Sequence, residues 1–107
     1  MNIETKELEG AIVVSLEGEV DLEHSPQARK ALLDAVSKNK KVVVDLSGVS
    51  YIDSSGIASL VEAFQTARKS GGEMILAMVS ESALRVLQLA RLDKVFTIAA
   101  TVEEATG

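Results

Sequence analysis

Two short runs of the sequence are apolar almost without interruption: KVVVDL at residues 41–46 and EMILAMV at residues 73–79. Continuous rather than alternating apolar residues are typical of strands that are buried on both faces, as in parallel sheets. Between the runs, apolar residues recur with helical spacing, and the glycines of KSGG are expected to end that helix near Ser70. These apolar positions are Ile57, Leu60, Val61, Phe64 and Ala67. The pattern predicts a β-α-β unit with a right-handed crossover.

The N-terminal part of the chain has a different pattern. AIVVSLEG, residues 11–18, alternates apolar and polar side chains, and the more polar IETKEL precedes it across Glu9-Gly10. This arrangement predicts a hairpin whose first strand lies at or near a sheet edge. Ser25 followed by Pro26 is a typical helix start, with Ser25 as the cap, and apolar spacing extends that helix over about residues 26 to 38.

The C-terminal part completes the prediction. Ser80 or Ser82 is expected to open a third helix, KVFTI to form a last short strand, and TVEEA a final helical turn with Thr101 and Glu104 at capping-box spacing. The fold class is therefore α/β, with a mixed, largely parallel sheet, an N-terminal hairpin and packed amphipathic helices. With 107 residues, 47% of them hydrophobic, we expect one domain spanning residues 1–107.

Charge and composition exclude several classes of function. A net charge of -5 and an aromatic content of 3% argue against direct nucleic-acid binding, which requires basic surfaces or stacking platforms. No cysteine is present, and no apolar run approaches the roughly 20 residues that span a bilayer. The sequence predicts a cytoplasmic protein that binds neither nucleic acid nor membrane.

Residues with catalytic potential do not form a recognisable set. The chain has a single histidine, His24, which we interpret as a solvated turn residue, and it lacks a G-x-S-x-G elbow and a phosphate-binding glycine loop. Asp45 is similar to the phosphoaccepting aspartate of receiver domains, with Glu19 and Asp21 as a possible acidic pair, but no lysine ends EMILAMV. We interpret Asp45 as a strand-end residue that fixes the next turn. The sequence predicts no enzyme, no metal site and no cofactor.

One polar turn has two interpretations. Asp53, Ser54, Ser55 and Gly56, called the serine turn (residues 53–56) below, directly precede the second helix. Asp and Ser are preferred helix caps, and capping alone explains their presence. Three cap candidates in a row also suggest that a serine is modified, since an added phosphate would meet the positive end of the helix and unpaired N–H groups. The residues alone leave both interpretations open.

The stretch from VVVDLSGVSYIDSSGIASLVEAF to LARLDKVFTI resembles STAS domains, in particular bacterial anti-sigma-factor antagonists, and the resemblance runs from about residue 3 to 105. Its most specific parts are DLSGVSYIDSSG, the GGEM strand start and LARLDKVF, with GEVD at residues 18–21 as a further match. The resemblance implies the STAS fold and a regulatory binding function.

The same resemblance implies a phosphorylation switch. The first serine of the D-S-S-G motif, Ser54 here, is the expected phosphoacceptor for an anti-sigma factor that is also a serine kinase, and a phosphoserine phosphatase removes the phosphate. Only the unphosphorylated form is expected to bind the anti-sigma factor and free a sigma factor. The implied partner-binding residues are Asp21, Asp53, Ser54, Ser55, Gly56 and Ile57.

The sequence leaves open which apolar residue contacts the partner and whether the chain acts as a switch. Ile57 or Ala58 is expected to supply apolar contact to the partner, although Ile57 also fits the core. A second function of another class keeps the fold without the switch: a STAS scaffold subunit of a lipid-transport or stress-signalling complex, in which Ser54 acts as a helix cap.

Overall fold

The five strands form one sheet in the order in which they occur along the chain, β1-β2-β3-β4-β5. This arrangement is taken from a computed structural model that describes residues 1–107. The strands are β1 (Asn2–Leu8), β2 (Ala11–Val20), β3 (Lys41–Ile52), β4 (Met74–Ala77) and β5 (Thr97–Ala99). The helices are α1 (Ser25–Val36), α2 (Ser54–Lys69), α3 (Glu81–Leu89) and α4 (Val102–Thr106).

Only the first pair of strands is antiparallel. β1 pairs with β2 as a hairpin, and the pairs β2-β3, β3-β4 and β4-β5 are all parallel. β1 therefore lies at one edge of the sheet, as its polar alternation predicts. The expected α/β class, with an N-terminal hairpin and a largely parallel sheet, is confirmed.

Both faces of the central strands are covered, which explains the uninterrupted apolar runs. Val42 and Val44 of β3 point into the main core beneath α1, α2 and α3, where Leu32, Leu60 and Leu87 are also buried. Val43, which points the opposite way, packs against Ala105 of α4 and is fully buried. The short terminal helix thus closes the second face of the sheet, and the Thr101 hydroxyl caps it by accepting from the Glu104 amide at 3.0 Å.

None of the four helices combines the length and apolar character that crossing a bilayer requires.

Two of the predicted helix starts differ in detail. Ser25 is not the cap of α1 but its first helical residue, and its side chain is buried. His24 occupies the cap position and makes no side-chain capping bond there. For α3, the structure selects Ser80 over Ser82, because the Ser80 hydroxyl accepts from the Ala83 amide at 3.3 Å.

The strand bounds also differ from the predictions. β4 covers only Met74–Ala77 of the EMILAMV run, because Met78 has a φ of 52° and leaves the extended conformation. β5 begins at Thr97, later in KVFTI than expected. Asp45 does not end its strand, since β3 continues to Ile52, and the Asp45 carboxylate accepts from the Ser47 amide at 2.9 Å beside a register shift between β2 and β3. The predicted local hydrogen bond exists, but it fixes a bulge rather than a turn.

Candidate functional site

The serine turn lies where β3 passes into α2, next to the segment that leaves β2. Val20 pairs with Ile52 in the β2-β3 register, so the residues that follow these two strands emerge side by side. The amide of Asp53 donates to the carbonyl oxygen of Val20 at 3.3 Å. The acidic loop (residues 21–24), which connects β2 to α1, is therefore adjacent to the serine turn, as expected for Asp21.

Asp53 organises the start of α2. Its Oδ1 atom accepts hydrogen bonds from the Ser55 amide at 3.0 Å, the Gly56 amide at 3.2 Å and the Ser55 hydroxyl at 2.6 Å. The Ser55 hydroxyl bond is the main cause of a lowered pKa of Asp53. Desolvation, the second-largest effect, raises this pKa, and the amides of Gly56, Ser55 and Leu22 lower it. Asp53 is therefore a carboxylate at neutral pH.

The two serines of the turn have different environments. The Ser55 hydroxyl is half-buried and donates to Asp53. The Ser54 side chain is exposed, and its hydroxyl has no hydrogen-bond partner within the chain. Of the two hydroxyls, only that of Ser54 is accessible without breaking a contact.

The expectation of unpaired N–H groups at the turn is wrong for two amides. The amides of Ser55 and Gly56 are not unpaired, because Asp53 accepts from both of them. A phosphate on Ser54 would therefore meet a carboxylate at the start of α2, and these two amides would not be free to bind it.

Gly56 is required by the close approach of two segments. A Cβ atom at this position would lie 2.5 Å from the carbonyl oxygen of Val20 and 2.7 Å from Cγ1 of Ile52, distances that packed atoms do not reach. The absence of a side chain lets the first turn of α2 lie directly against the end of β2. The role of Gly56 is thus to bring the serine turn against the acidic loop.

The acidic loop is held by its own aspartate. Oδ1 of Asp21 accepts from the amide of His24 at 3.0 Å and lies 2.8 Å from Nδ1 of its ring. Desolvation raises the pKa of Asp21, but the backbone and side-chain hydrogen bonds and the charge of His24 together outweigh it, and the net pKa is lowered. The predicted turn position of His24 is confirmed, but the residue is not fully solvated, because its side chain is 26% exposed and contacts Asp21.

A buried serine connects the two helices behind this surface. Ser59 and Ser25 are the only buried polar residues of the chain. The Ser59 hydroxyl lies 3.3 Å from the carbonyl oxygen of Ser25 in α1 and 3.2 Å from that of Ser55 in α2. The sequence analysis did not identify Ser59, although its position among the apolar residues of α2 indicates a buried hydroxyl.

The apolar residues at the start of α2 are divided between core and surface. Ile57 is buried, with 8% of its surface exposed, while Ala58 is exposed. A direct contact from Ile57 to a partner is therefore not supported by its position, and Ala58 is the exposed apolar residue of this turn. No group of three or more His, Cys, Asp or Glu side chains is arranged to hold a metal ion.

Comparisons with known proteins agree with this architecture. The sequence model of the STAS domain matches residues 2–105. An anti-sigma-B factor antagonist from Bacillus subtilis is 30% identical over 103 residues, which cover 96% of this chain and 94% of that protein.

Solved structures show the same fold. The crystal structure of a Thermotoga maritima protein has a TM-score of 0.87 at 28% identity, covering 96% of this chain and 90% of that chain. The crystal structure of an anti-sigma factor antagonist from Mycobacterium paratuberculosis has a TM-score of 0.87 at 27% identity, covering 97% and 89%. The predicted resemblance is confirmed: the chain belongs to the STAS domain family and, within it, to the family of anti-sigma factor antagonists, which are regulators and not enzymes.

Proposed function

We propose that this chain is a phosphorylation-switched antagonist of an anti-sigma factor. The unphosphorylated chain binds an anti-sigma factor that is also a serine kinase, and this binding frees a sigma factor. Phosphorylation of Ser54 by that kinase ends the binding, and a phosphoserine phosphatase restores it. The chain acts in the cytoplasm as a single domain, residues 1–107, and makes no direct contact with nucleic acid or membrane.

The observation that carries this proposal is the difference between the two serine hydroxyls. A kinase requires a hydroxyl that reaches its active site, and that of Ser54 is exposed and unbonded. The Ser55 hydroxyl donates to Asp53 at 2.6 Å and would have to give up this bond before reacting. The geometry favours Ser54 as the acceptor, in agreement with the order of residues in the D-S-S-G motif.

The charges around Ser54 supply a reason why a phosphate would oppose binding. The lowered pKa values of Asp53 and Asp21 keep both carboxyl groups ionised at neutral pH. A phosphoserine adds a charge of about -1.5 to -2 next to Asp53, and a partner would have to desolvate all of these charges together. A coupling free energy of about 2 to 3 kcal/mol would change the affinity by roughly 30- to 150-fold.

A phosphorylation experiment tests the acceptor. Each anti-sigma factor kinase of the same organism is purified and incubated with ATP and the wild-type chain, Ser54→Ala or Ser55→Ala, followed by intact mass measurement and peptide mapping. We expect one phosphate on the wild type and on Ser55→Ala, and none on Ser54→Ala. Absence of phosphate on the wild type with every kinase would contradict the switch and favour the scaffold function.

A binding experiment tests the switch itself. Ser54→Ala is expected to bind the kinase with the affinity of the unphosphorylated wild type, and Ser54→Asp to bind more weakly at unchanged thermal stability. The exposure of Ser54 makes both substitutions compatible with the fold. Equal affinities of wild type, Ser54→Ala and Ser54→Asp would show that the serine turn does not contact the partner.

A further inference from the structure

Leu22, in the acidic loop (residues 21–24), is a large apolar side chain on the surface beside the proposed phosphoacceptor, with 76% of its surface exposed. We infer that Leu22 is the apolar anchor by which the chain binds its anti-sigma factor, in a pocket of the partner that is bordered by lysine or arginine side chains. This inference rests on the proposed function and names the chemistry of the surface that it uses.

Exposure alone does not identify an interaction residue, because single exposed leucines are common on soluble proteins. Position distinguishes Leu22 from Leu89, which is 80% exposed at the end of α3. Val20, two residues before Leu22, accepts from the Asp53 amide at 3.3 Å and packs against Gly56, which places the loop that carries Leu22 beside the serine turn. A partner that covers Ser54 would therefore also meet Leu22.

The loop that carries Leu22 is fixed on both sides. The carbonyl oxygen of Asp21 accepts from the amides of His24 at 3.1 Å and Ser25 at 2.7 Å, and the Asp21 carboxylate accepts from His24 as well. Before the loop, Val20 is held between Gly56 and the amide of Asp53. A side chain presented by an ordered loop loses less conformational entropy on binding, which suits it as an anchor.

The charges around Leu22 indicate the chemistry of the partner. Neither the acidic loop, residues 21–24, nor the serine turn, residues 53–56, contains a lysine or an arginine, and Arg29, the next basic residue after the loop, pairs with Glu62. Asp21, exposed Glu23 and Asp53 surround the leucine with negative charge, and His24, the only imidazole, already contacts Asp21. Charge complementarity therefore favours a partner pocket whose rim is basic.

The position of Leu22 next to the serine turn gives a reason why a phosphate on Ser54 would oppose binding. A phosphate on Ser54 would bring its charge and hydration next to the apolar side chain that has to be desolvated. The basic rim would also attract the phosphate, but a hydrated phosphate on Ser54 would hold the two surfaces apart and keep Leu22 out of its pocket. Burial of the leucine and phosphorylation of Ser54 thus oppose each other.

Substitution of the leucine tests the anchor. Affinity for the anti-sigma factor kinase that binds the wild type is measured calorimetrically for Leu22→Ala, Leu22→Met and the matched control Leu89→Ala. Loss of a buried leucine side chain predicts about 10- to 100-fold weaker binding of Leu22→Ala. Leu22→Met retains most of the apolar surface and is expected to stay within about threefold of the wild type. Leu89→Ala is expected to bind as the wild type does.

Substitution of the neighbouring charge tests the rim. Glu23→Gln should slow association with the same kinase and reduce its dependence on salt, because the carboxylate attracts the basic rim. Glu103→Gln, an exposed glutamate of α4 beneath the other face of the sheet, is the control and should leave association unchanged.

Failure of this inference differs from failure of the proposed function. If the wild type binds and Ser54→Asp does not, but Leu22→Ala binds like the wild type, the switch stands and the anchor is wrong. If Leu22→Ala and Leu89→Ala weaken binding equally, the effect is general and the anchor is also wrong. If no anti-sigma factor binds the wild type, the proposed function and the anchor are both overturned.

Discussion

Gly56 and Val20 approach each other so closely that a Cβ atom on the glycine would lie 2.5 Å from the carbonyl oxygen of the valine. This contact joins the first turn of α2 to the end of β2. It is also the backbone contact that sets the distance between the serine turn and the acidic loop. The proposed partner surface therefore depends on a residue that has no side chain.

Replacement of this glycine should destabilise the fold. Alanine normally favours a helix over glycine by about 1 kcal/mol, but here its methyl group would displace Val20 or Ile52. We expect Gly56→Ala to lower the free energy of unfolding by about 1 to 3 kcal/mol in urea denaturation. Gly72→Ala is the control, since its Cβ would lie 3.5 Å from the Ala67 carbonyl oxygen, and a similar loss there would contradict this steric explanation.

Ser59→Ala should reveal the contribution of the buried hydroxyl between α1 and α2. Its loss removes the contacts with the carbonyl oxygens of Ser25 and Ser55, and we expect unfolding free energy to fall by about 1 kcal/mol. The matched control is Thr66→Ala in the same helix, whose hydroxyl also donates to the carbonyl four residues earlier but is exposed. We expect the unfolding free energy of Thr66→Ala to stay within about 0.5 kcal/mol of the wild type. Equal losses of unfolding free energy in the two variants would show that burial of the Ser59 hydroxyl adds nothing to its contribution.

The pKa of Asp53 predicts how stability depends on pH. Because this pKa is lowered in the folded chain, the unfolded chain binds more protons between the folded pKa and the ordinary value near 3.9, and stability rises with pH in that interval. The stabilisation that Asp53 supplies is complete above about pH 5 and is lost as the pH falls through the folded pKa.

Asp53→Asn keeps a good helix cap while removing the titration. Its free energy of unfolding should therefore change less than that of the wild type between about pH 5 and pH 3. Asp21 has a lowered pKa as well and remains in both proteins, so some dependence persists in the variant. Parallel stability curves for the two proteins would show that Asp53 contributes nothing to acid sensitivity.

Two arginines of the third helix region should respond oppositely to replacement by glycine. Arg91, just after α3, has a φ of 61°, a left-handed conformation that glycine adopts more easily. Arg91→Gly is expected to raise the melting temperature and to increase the free energy of unfolding by about 1 kcal/mol or less. Arg85→Gly lies within α3 and should lower stability by about 1 kcal/mol. The same sign for both variants would contradict the conformational explanation.

The spacing of apolar residues was sufficient to predict most of the helices and strands, because the faces that are buried determine that spacing directly. The runs around Val43 and Ile75 had to be covered on both faces, and α4 supplies the second cover through Ala105. The bounds were less predictable, since β4 ends at the left-handed backbone of Met78, a conformation that glycine and asparagine favour and that a methionine in the sequence does not indicate. The continuation of β3 past Asp45 depends on a bulge in its pairing with β2, which leaves no periodic signal.

The candidate site was predicted only in part. Asp53, Ser54, Ser55 and Gly56 were identifiable because capping residues in a row are unusual, and the family resemblance chose between the serines. The pairing of the Ser55 hydroxyl with Asp53 could not be predicted, since it depends on a rotamer and not on residue type. Contacts across the chain, such as Ser59 with Ser25, depend on how α1 and α2 pack.

The length of β3 has a consequence for the chemistry of the serine turn. β4 accompanies β3 only as far as Asp45, and from Leu46 to Ile52 the only strand partner of β3 is β2. Ser54 thus lies beyond the end of the four-residue strand β4, at the tip of a two-stranded extension. The Ser54 side chain is exposed there, so under the proposed function a phosphate on its hydroxyl would lie outside the packed interior and would not require the chain to unfold. Under the proposed function, one molecule of the chain can therefore pass through many rounds of phosphorylation and dephosphorylation.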